Sequence, residues 1–140
     1  MNKKQILESL KNDVYCKIKK SHIDGIGVFA IKSIPEGTNP FRGCVVKRWY
    51  GFKESELRCL DPPVRKMVHD FFDVQEGKTW IPDLGLNGIN IFFFLNSSKK
   101  PNLRAIETKD DFMFIASRDI KAGEELTVDY STYDERSRKS

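Results

Sequence analysis

At 140 residues the chain has room for one domain with its own core, and 39% hydrophobic against 31% charged residues is ordinary globular composition, which excludes a disordered polymer and a fibrous repeat. The longest unbroken apolar run, Ile91–Leu95, falls far short of the roughly 20 residues that span a bilayer. Six lysines against two acids in the first twenty residues account for the whole net charge of +4, and the rest balances at 18 bases and 18 acids, so the uniform basicity of a nucleic-acid-coating protein is absent.

Lys3, Lys4, Glu8 and Lys11 interrupt the apolar residues near the start, so no signal-peptide core is present. The expectation is a cytoplasmic protein, nuclear in a eukaryote, with neither membrane nor direct nucleic-acid contact. The basic N-terminal arm reads first as a solvated helix face and second as a contact for an acidic partner. Cys16, Cys44 and Cys59 are scattered and form no CxxC pair, and His22 and His69 are isolated, so neither a disulfide framework nor a metal site is expected.

Along the chain, Ile6, Leu7 and Leu10 recur at helical spacing over 2–12 behind Asn2 as an N-cap, giving a short amphipathic helix outside the main fold (residues 1–13). Val14–Lys19 and Val28–Ile31 read as strands around the turn Asp24-Gly25-Ile26-Gly27, and Pro35-Glu36-Gly37 makes another turn. Phe41 and Val45-Val46 suggest a further short strand, Ser55 a cap for a helix over Glu56–Leu60. Pro62-Pro63 suits the first turn of a helix over 62–74, whose Val64, Met67, Val68, Phe71 and Phe72 form an apolar stripe. Thr79–Ile81 is strand-like, Asn87–Leu95 reads as a short buried helix, and Phe112–Ser117 and Glu125–Tyr130 read as late strands joined through Lys121-Ala122-Gly123. Short strands, glycine turns and one helical insert make the domain mainly β.

Three segments draw attention beyond this pattern. Gly25-Ile26-Gly27 either lets a ligand approach the backbone closely or simply makes a tight turn. In Asn96-Ser97-Ser98-Lys99-Lys100-Pro101-Asn102, the Asn96 amide can read an adenine edge, satisfy buried backbone, or cap a helix. Glu125-Leu126-Thr127-Val128-Asp129-Tyr130 ends in a tyrosine, by itself a packed aromatic with a satisfied hydroxyl.

Taken in order, Gly25-Ile26-Gly27-Val28-Phe29-Ala30 with Ile34-Pro35-Glu36-Gly37, then Asn96-x-Ser98-x-x-Pro101-Asn102, then Ile120-x-Ala122-Gly123-Glu124-Glu125-Leu126-Thr127-x-Asp129-Tyr130, resemble the SET domain of protein-lysine methyltransferases over residues 14–133. The resemblance implies a β-clip-like fold with a C-terminal pseudoknot, residues 47–78 as the variable insert, and 134–140 as a flexible tail without the family's cysteine-rich zinc segment. It implies S-adenosylmethionine as cofactor, held by Gly25, Ile26, Gly27, Asn96, Ser97 and Tyr130. Tyr130 would be the catalytic residue, Trp80 and Tyr133 would contact the substrate, and no metal would bind. The partner would be a protein bearing the target lysine, such as a histone or another basic protein. The family's Asn-His-Ser-Cys reads Asn96-Ser97-Ser98-Lys99 here, and its arginine three residues earlier reads Phe93. The competing readings are a catalytically degenerate SET-like interaction module and a domain that binds acidic partners through its basic arm.

Overall fold

Asn2 starts the first helix through a reciprocal cap: its side chain accepts from the Gln5 N–H at 2.9 Å, and Gln5 Oε1 accepts from the Asn2 N–H at 2.8 Å. Helix α1 (Lys3–Asn12) buries no residue and leaves Ile6, Leu7 and Leu10 exposed. In the computed structural model, which describes residues 1–108 and 112–138, nine strands follow. They are β1 (Cys16–Lys20), β2 (Ile26–Ala30), β3 (Trp49–Phe52), β4 (Val74–Gln75), β5 (Lys78–Pro82), β6 (Asn96–Ser97), β7 (Leu103–Glu107), β8 (Phe112–Ala116) and β9 (Glu125–Val128). Helices α2 (Glu54–Leu57) and α3 (Pro62–Phe71) lie between β3 and β4. No helix among the described residues is long and apolar enough to cross a membrane.

The strands form three small sheets, ordered β1-β2-β9-β6, β3-β5-β4 and β7-β8. All pairs are antiparallel except β6 with β9, which run parallel with Asn96 opposite Thr127 and Ser97 opposite Val128. A parallel pair needs a long crossover, here supplied by the β7-β8 hairpin and the bridge between Ile34 and Ile120. Two apolar clusters result. Val28, Ile34, Leu103, Ile120, Leu126 and Val128 centre the larger one, while Leu57, Val68 and Phe72 centre one beneath the helical insert.

Several expectations shift. Phe41 lies in a turn instead of a strand, because Asn39 Oδ1 accepts from the Phe41 N–H at 2.9 Å and folds the chain back. Val45 is exposed, and the strand starts only at Trp49. Helix α2 starts one residue before Ser55: Lys53 is the N-cap, and its N–H donates to Glu56 Oε1 at 2.9 Å. The stripe on α3 is half core: Val68 and Phe72 are buried, while Val64 and Met67 stay exposed. The buried helix over 87–95 is instead two 3₁₀ turns, Gly85–Gly88 and Ile91–Phe94, separated by the extended Asn90, whose side chain caps the second turn. Strands β4, β6 and β7 answer to no expected element.

The expected loose tail is packed over its first residues. Asp134 is buried, residues Glu135–Arg138 form a 3₁₀ turn, and the Arg136 guanidinium donates to the carbonyls of His69 and Phe72, each at 2.8 Å. Helix α3 ends in unpaired carbonyls, and an arginine is well suited to cap them. Residues 139–140 of that expected tail lie outside the described residues.

Asn102 fixes the last strand. Buried, it donates through Nδ2 to the Glu125 carbonyl and accepts at Oδ1 from the Thr127 N–H, both at 2.8 Å, so one side chain does the work of a neighbouring strand. Asn102→Ala leaves both backbone groups unpaired and should lower stability by about 1 to 3 kcal/mol in urea unfolding. An unchanged midpoint would show that β9 does not depend on this clamp.

Candidate active site

The parallel pair β6-β9 brings the three singled-out segments together. Asn96 is buried, and its Nδ2 group lies 2.9 Å from Glu125 Oε2, 3.1 Å from Ser21 Oγ, and 3.2 Å from each of the Asp24 and Ile26 carbonyls. Ser21 in turn donates to the Glu125 carboxylate at 2.8–2.9 Å. The Asn96 amide therefore satisfies buried backbone, one of its three sequence readings. Its Oδ1 has no partner among the described residues, none of which holds a buried, unpaired side-chain oxygen, so this acceptor is open.

The Gly25–Gly27 turn has a specific steric reason. Gly25 holds φ at +46°, and a Cβ on Gly27 would stand 2.2 Å from Glu125 Oε2 and 3.0 Å from Asn96 Nδ2. Strand β2 meets β9 only at Val28 and Phe29, so the backbone of Ile26 and Gly27 on that side is left to the Asn96 side chain. An open amide oxygen beside the Gly25–Gly27 turn suits a small polar ligand bearing an ammonium group. The expected cofactor, an amino-acid derivative, fits that donor set.

Tyr130 is tied at both ends. Its N–H donates to Ser97 Oγ at 3.0 Å, and its hydroxyl donates to the Leu95 carbonyl. Burial, and after it the charges of Asp73, Asp24 and Asp134, push the phenol up to about 12. It stays neutral at physiological pH, its hydrogen committed and its oxygen lone pairs left to accept. Serine at 97 thus anchors the tyrosine backbone. Phe93, where the motif would place arginine, packs between Phe72 at 5.6 Å and Trp49 at 6.1 Å.

A cavity of about 410 Å³ lies nearby, lined by Trp49, Trp80, Phe112, Asp73, Gln75 and Glu107 among others. Trp80 is held there by its indole N–H, which donates to the Gln75 carbonyl at 3.0 Å. Tyr133 lies behind the cavity wall, buried, with Phe112 at 5.5 Å, Phe114 at 5.6 Å and Tyr130 at 6.2 Å. It is part of the core, and its phenol is pushed up by burial and by Asp73. Gly25, Ile26, Gly27, Asn96, Ser97 and Tyr130 therefore meet in one place, Trp80 stands in the adjoining cavity, and Tyr133 supports from within.

Sequence reading missed Ser21, Asp73, Leu95 and Glu125 as members of this neighbourhood. Ser21 and Glu125 are 104 residues apart, and nothing local marks their meeting. Asp73 carries a chemical signal only in three dimensions. Burial first, then the neighbouring Asp134, raise its carboxyl from the ordinary 3.8 to about 7, with Arg136 opposing.

Two outcomes follow. Between about pH 4 and pH 7 the folded protein holds a proton on Asp73 that the unfolded chain has released, so stability should fall as pH rises through that window. Asp73→Asn should flatten this dependence and melt higher than the parent at pH 8; parallel melting-temperature curves across pH 4–8 would show that Asp73 titrates normally. Gly27→Ala should fold but displace Glu125 and Asn96. Nuclear magnetic resonance would show this as shifted Asn96 side-chain amide signals, and unmoved signals would mean that the turn tolerates a side chain.

The model of the SET domain matches residues 25–131 of the chain. No curated protein sequence matches it. Among 248 solved chains that do match is the crystal structure of a Plasmodium falciparum protein provisionally named a histone methyltransferase. It is 17% identical, covers 84% of this chain and 93% of its own, and superposes with a TM-score of 0.53, which shows a shared fold. The segments that converge here, Gly25–Ala30, Asn96–Asn102 and Ile120–Tyr130, lie within the matched region, and the chain belongs to the SET-domain family.

Proposed function

We propose that this protein transfers a methyl group from S-adenosylmethionine to the side-chain amine of lysine in a protein substrate. One observation carries the reading: Asn96, Ser97 and Tyr130 are locked onto one parallel strand pair, with the Asn96 amide bonded directly to the Ile26 carbonyl of the glycine turn. Asn96 Oδ1 and the Gly25–Gly27 backbone would hold the cofactor. When bound, S-adenosylmethionine supplies an electrophilic methyl group on a sulfonium.

The chain's task is then to deliver a neutral, oriented amine and to exclude water. A free lysine has a pKa of about 10.4, so neutralising it at pH 7 in water costs roughly 4 to 5 kcal/mol. Walls such as Trp49, Trp80 and Phe112 lower that cost by desolvating the ammonium. Tyr130 cannot act as a base at neutral pH, with its phenol pushed up to about 12. Its oxygen accepts a hydrogen bond from the amine instead and aims the lone pair. The name given to the Plasmodium falciparum neighbour makes core histones the first substrates to test.

One observation favours a catalytically degenerate interaction module: both Asn96 amide hydrogens are already engaged within the protein. Calorimetric titration with S-adenosylmethionine separates the two. The enzyme reading expects saturable binding that Asn96→Ala weakens by about 1 to 3 kcal/mol, whereas no binding supports the module.

Tyr130→Phe keeps the ring and removes the hydroxyl. It should fold and bind substrate nearly normally while losing roughly 10- to 1000-fold in single-turnover rate, the scale for one positioning hydrogen bond. Equal rates, with melting curves as the folding control, would reduce Tyr130 to a packing residue.

A further inference from the structure

We propose that Asp73 is the carboxylate that receives the substrate's ammonium group in the aromatic cavity and takes up the proton it must lose. The inference rests on the methyl-transfer reading and assigns that site's proton acceptor.

Asp73 stands between the end of α3 and β4, and its backbone is fixed from two sides. Its carbonyl accepts from the Trp80 N–H at 3.1 Å, and the next residue, Val74, donates its N–H to Asp134 Oδ1 at 3.3 Å. Its side chain lines the cavity of about 410 Å³ together with Trp49, Trp80 and Phe112. Among the described residues no hydrogen bond or ion pair engages the carboxyl, and no side-chain oxygen there is both buried and unpaired, so its oxygens open onto the cavity. Asp134 offers the contrast: it is buried, but Arg136 pairs with it at 3.2 Å. An acid that no cation pairs at bonding distance, on a cavity walled by Trp49, Trp80 and Phe112, suits a lysine side chain, which supplies both the apolar stem and the charge.

The groups that face Asp73 are Asp134, Arg136, Tyr130 and Tyr133, with Lys47, Arg48, Glu76 and Glu107 on the cavity lining. Burial and Asp134 raise its carboxyl to about 7, which makes it a stronger base than an ordinary carboxylate while leaving a substantial share deprotonated near neutral pH and able to take up the amine's proton. In the step, one substrate N–H bond breaks, its electrons stay on nitrogen as the lone pair, and the proton goes to Asp73. That lone pair forms the new N–C bond as the donor's S–C bond breaks with its electrons kept on sulfur, and Asp73 then loses the proton to water.

The experiment has two readouts on the full chain, parent against Asp73→Asn and Asp73→Glu. The first is titration with n-butylammonium chloride at pH 8, followed by nuclear magnetic resonance. The parent should bind, Asp73→Asn should bind about tenfold or more weakly, and Asp73→Glu should recover part of the loss. The second is the pH profile of methyl transfer from S-adenosylmethionine to mixed core histones. In the parent, kcat/KM should rise through about pH 7; in Asp73→Asn it should fall roughly 100-fold at neutral pH and shift its rise to higher pH. Equal n-butylammonium affinity in parent and Asp73→Asn, or no binding by the parent, overturns the ammonium site. An unchanged pH profile in Asp73→Asn overturns the proton role while methyl transfer stands. Asp73-dependent amine binding without transfer by the parent overturns the methyltransferase reading and leaves the ammonium site in place.

Discussion

The site depends on a two-residue parallel strand pair held from outside by a side chain. The bridges Asn96 to Thr127 and Ser97 to Val128 reach only the second half of β9, while β2 pairs with its first half on the other side. Asn102 supplies what is missing on the Glu125 and Thr127 backbone, and the Ser98 N–H adds a bond to the Val128 carbonyl at 3.0 Å. Everything that gives the site its chemistry hangs from this junction. Tyr130 follows β9 directly, Asn96 is the first residue of β6, and Glu125 starts β9 and meets Asn96 across the Gly27 gap.

The three consecutive phenylalanines before β6 connect this junction to the insert. In the tight Ile91–Phe94 turn, Phe92 and Phe93 pack on each other at 4.4 Å while each phenylalanine also reaches its own neighbour. Phe92 packs on Phe41 and Phe114 in the larger core, Phe93 on Phe72 in the smaller one, and Phe94 on Phe71 of α3. The insert that carries Asp73 is thereby packed against the segment that presents the Leu95 carbonyl to Tyr130.

The parts legible in the sequence are those whose signal is local. Asn2, Gly25 and Pro62-Pro63 each occupy a position whose backbone geometry selects for that residue type, and each stands where it was expected. The ordered motifs also group Asn96, Ser97 and Tyr130, and the β6-β9 pair and the Ser97–Tyr130 bond bring these three residues together. What escaped is long-range. Strand β6 has two residues and no alternation to read, and β4 is equally short. Phe41 and Val45-Val46 carry strand propensity, but the Asn39 turn overrides it. The resemblance places Tyr133 against the substrate, yet its ring packs on Phe112 and Phe114 in the core.

The two departures from the family motif fit this division between chemistry and support. Serine at 97 gives up an aromatic ring but holds the Tyr130 N–H, so the tyrosine keeps a fixed backbone. Phe93 gives up a charge and gains the Phe72 and Trp49 contacts, which join the insert to the rest. Both changes alter how the site is held, while the open oxygen of Asn96 and the lone pairs of Tyr130 remain. Asp73 runs the other way: a half-buried carboxylate beside Asp134, only partly offset by Arg136, weakens the fold once pH rises above its raised value of about 7. Such strain is characteristic of groups retained for what they do to a ligand, because an asparagine or a leucine would serve packing alone with less penalty.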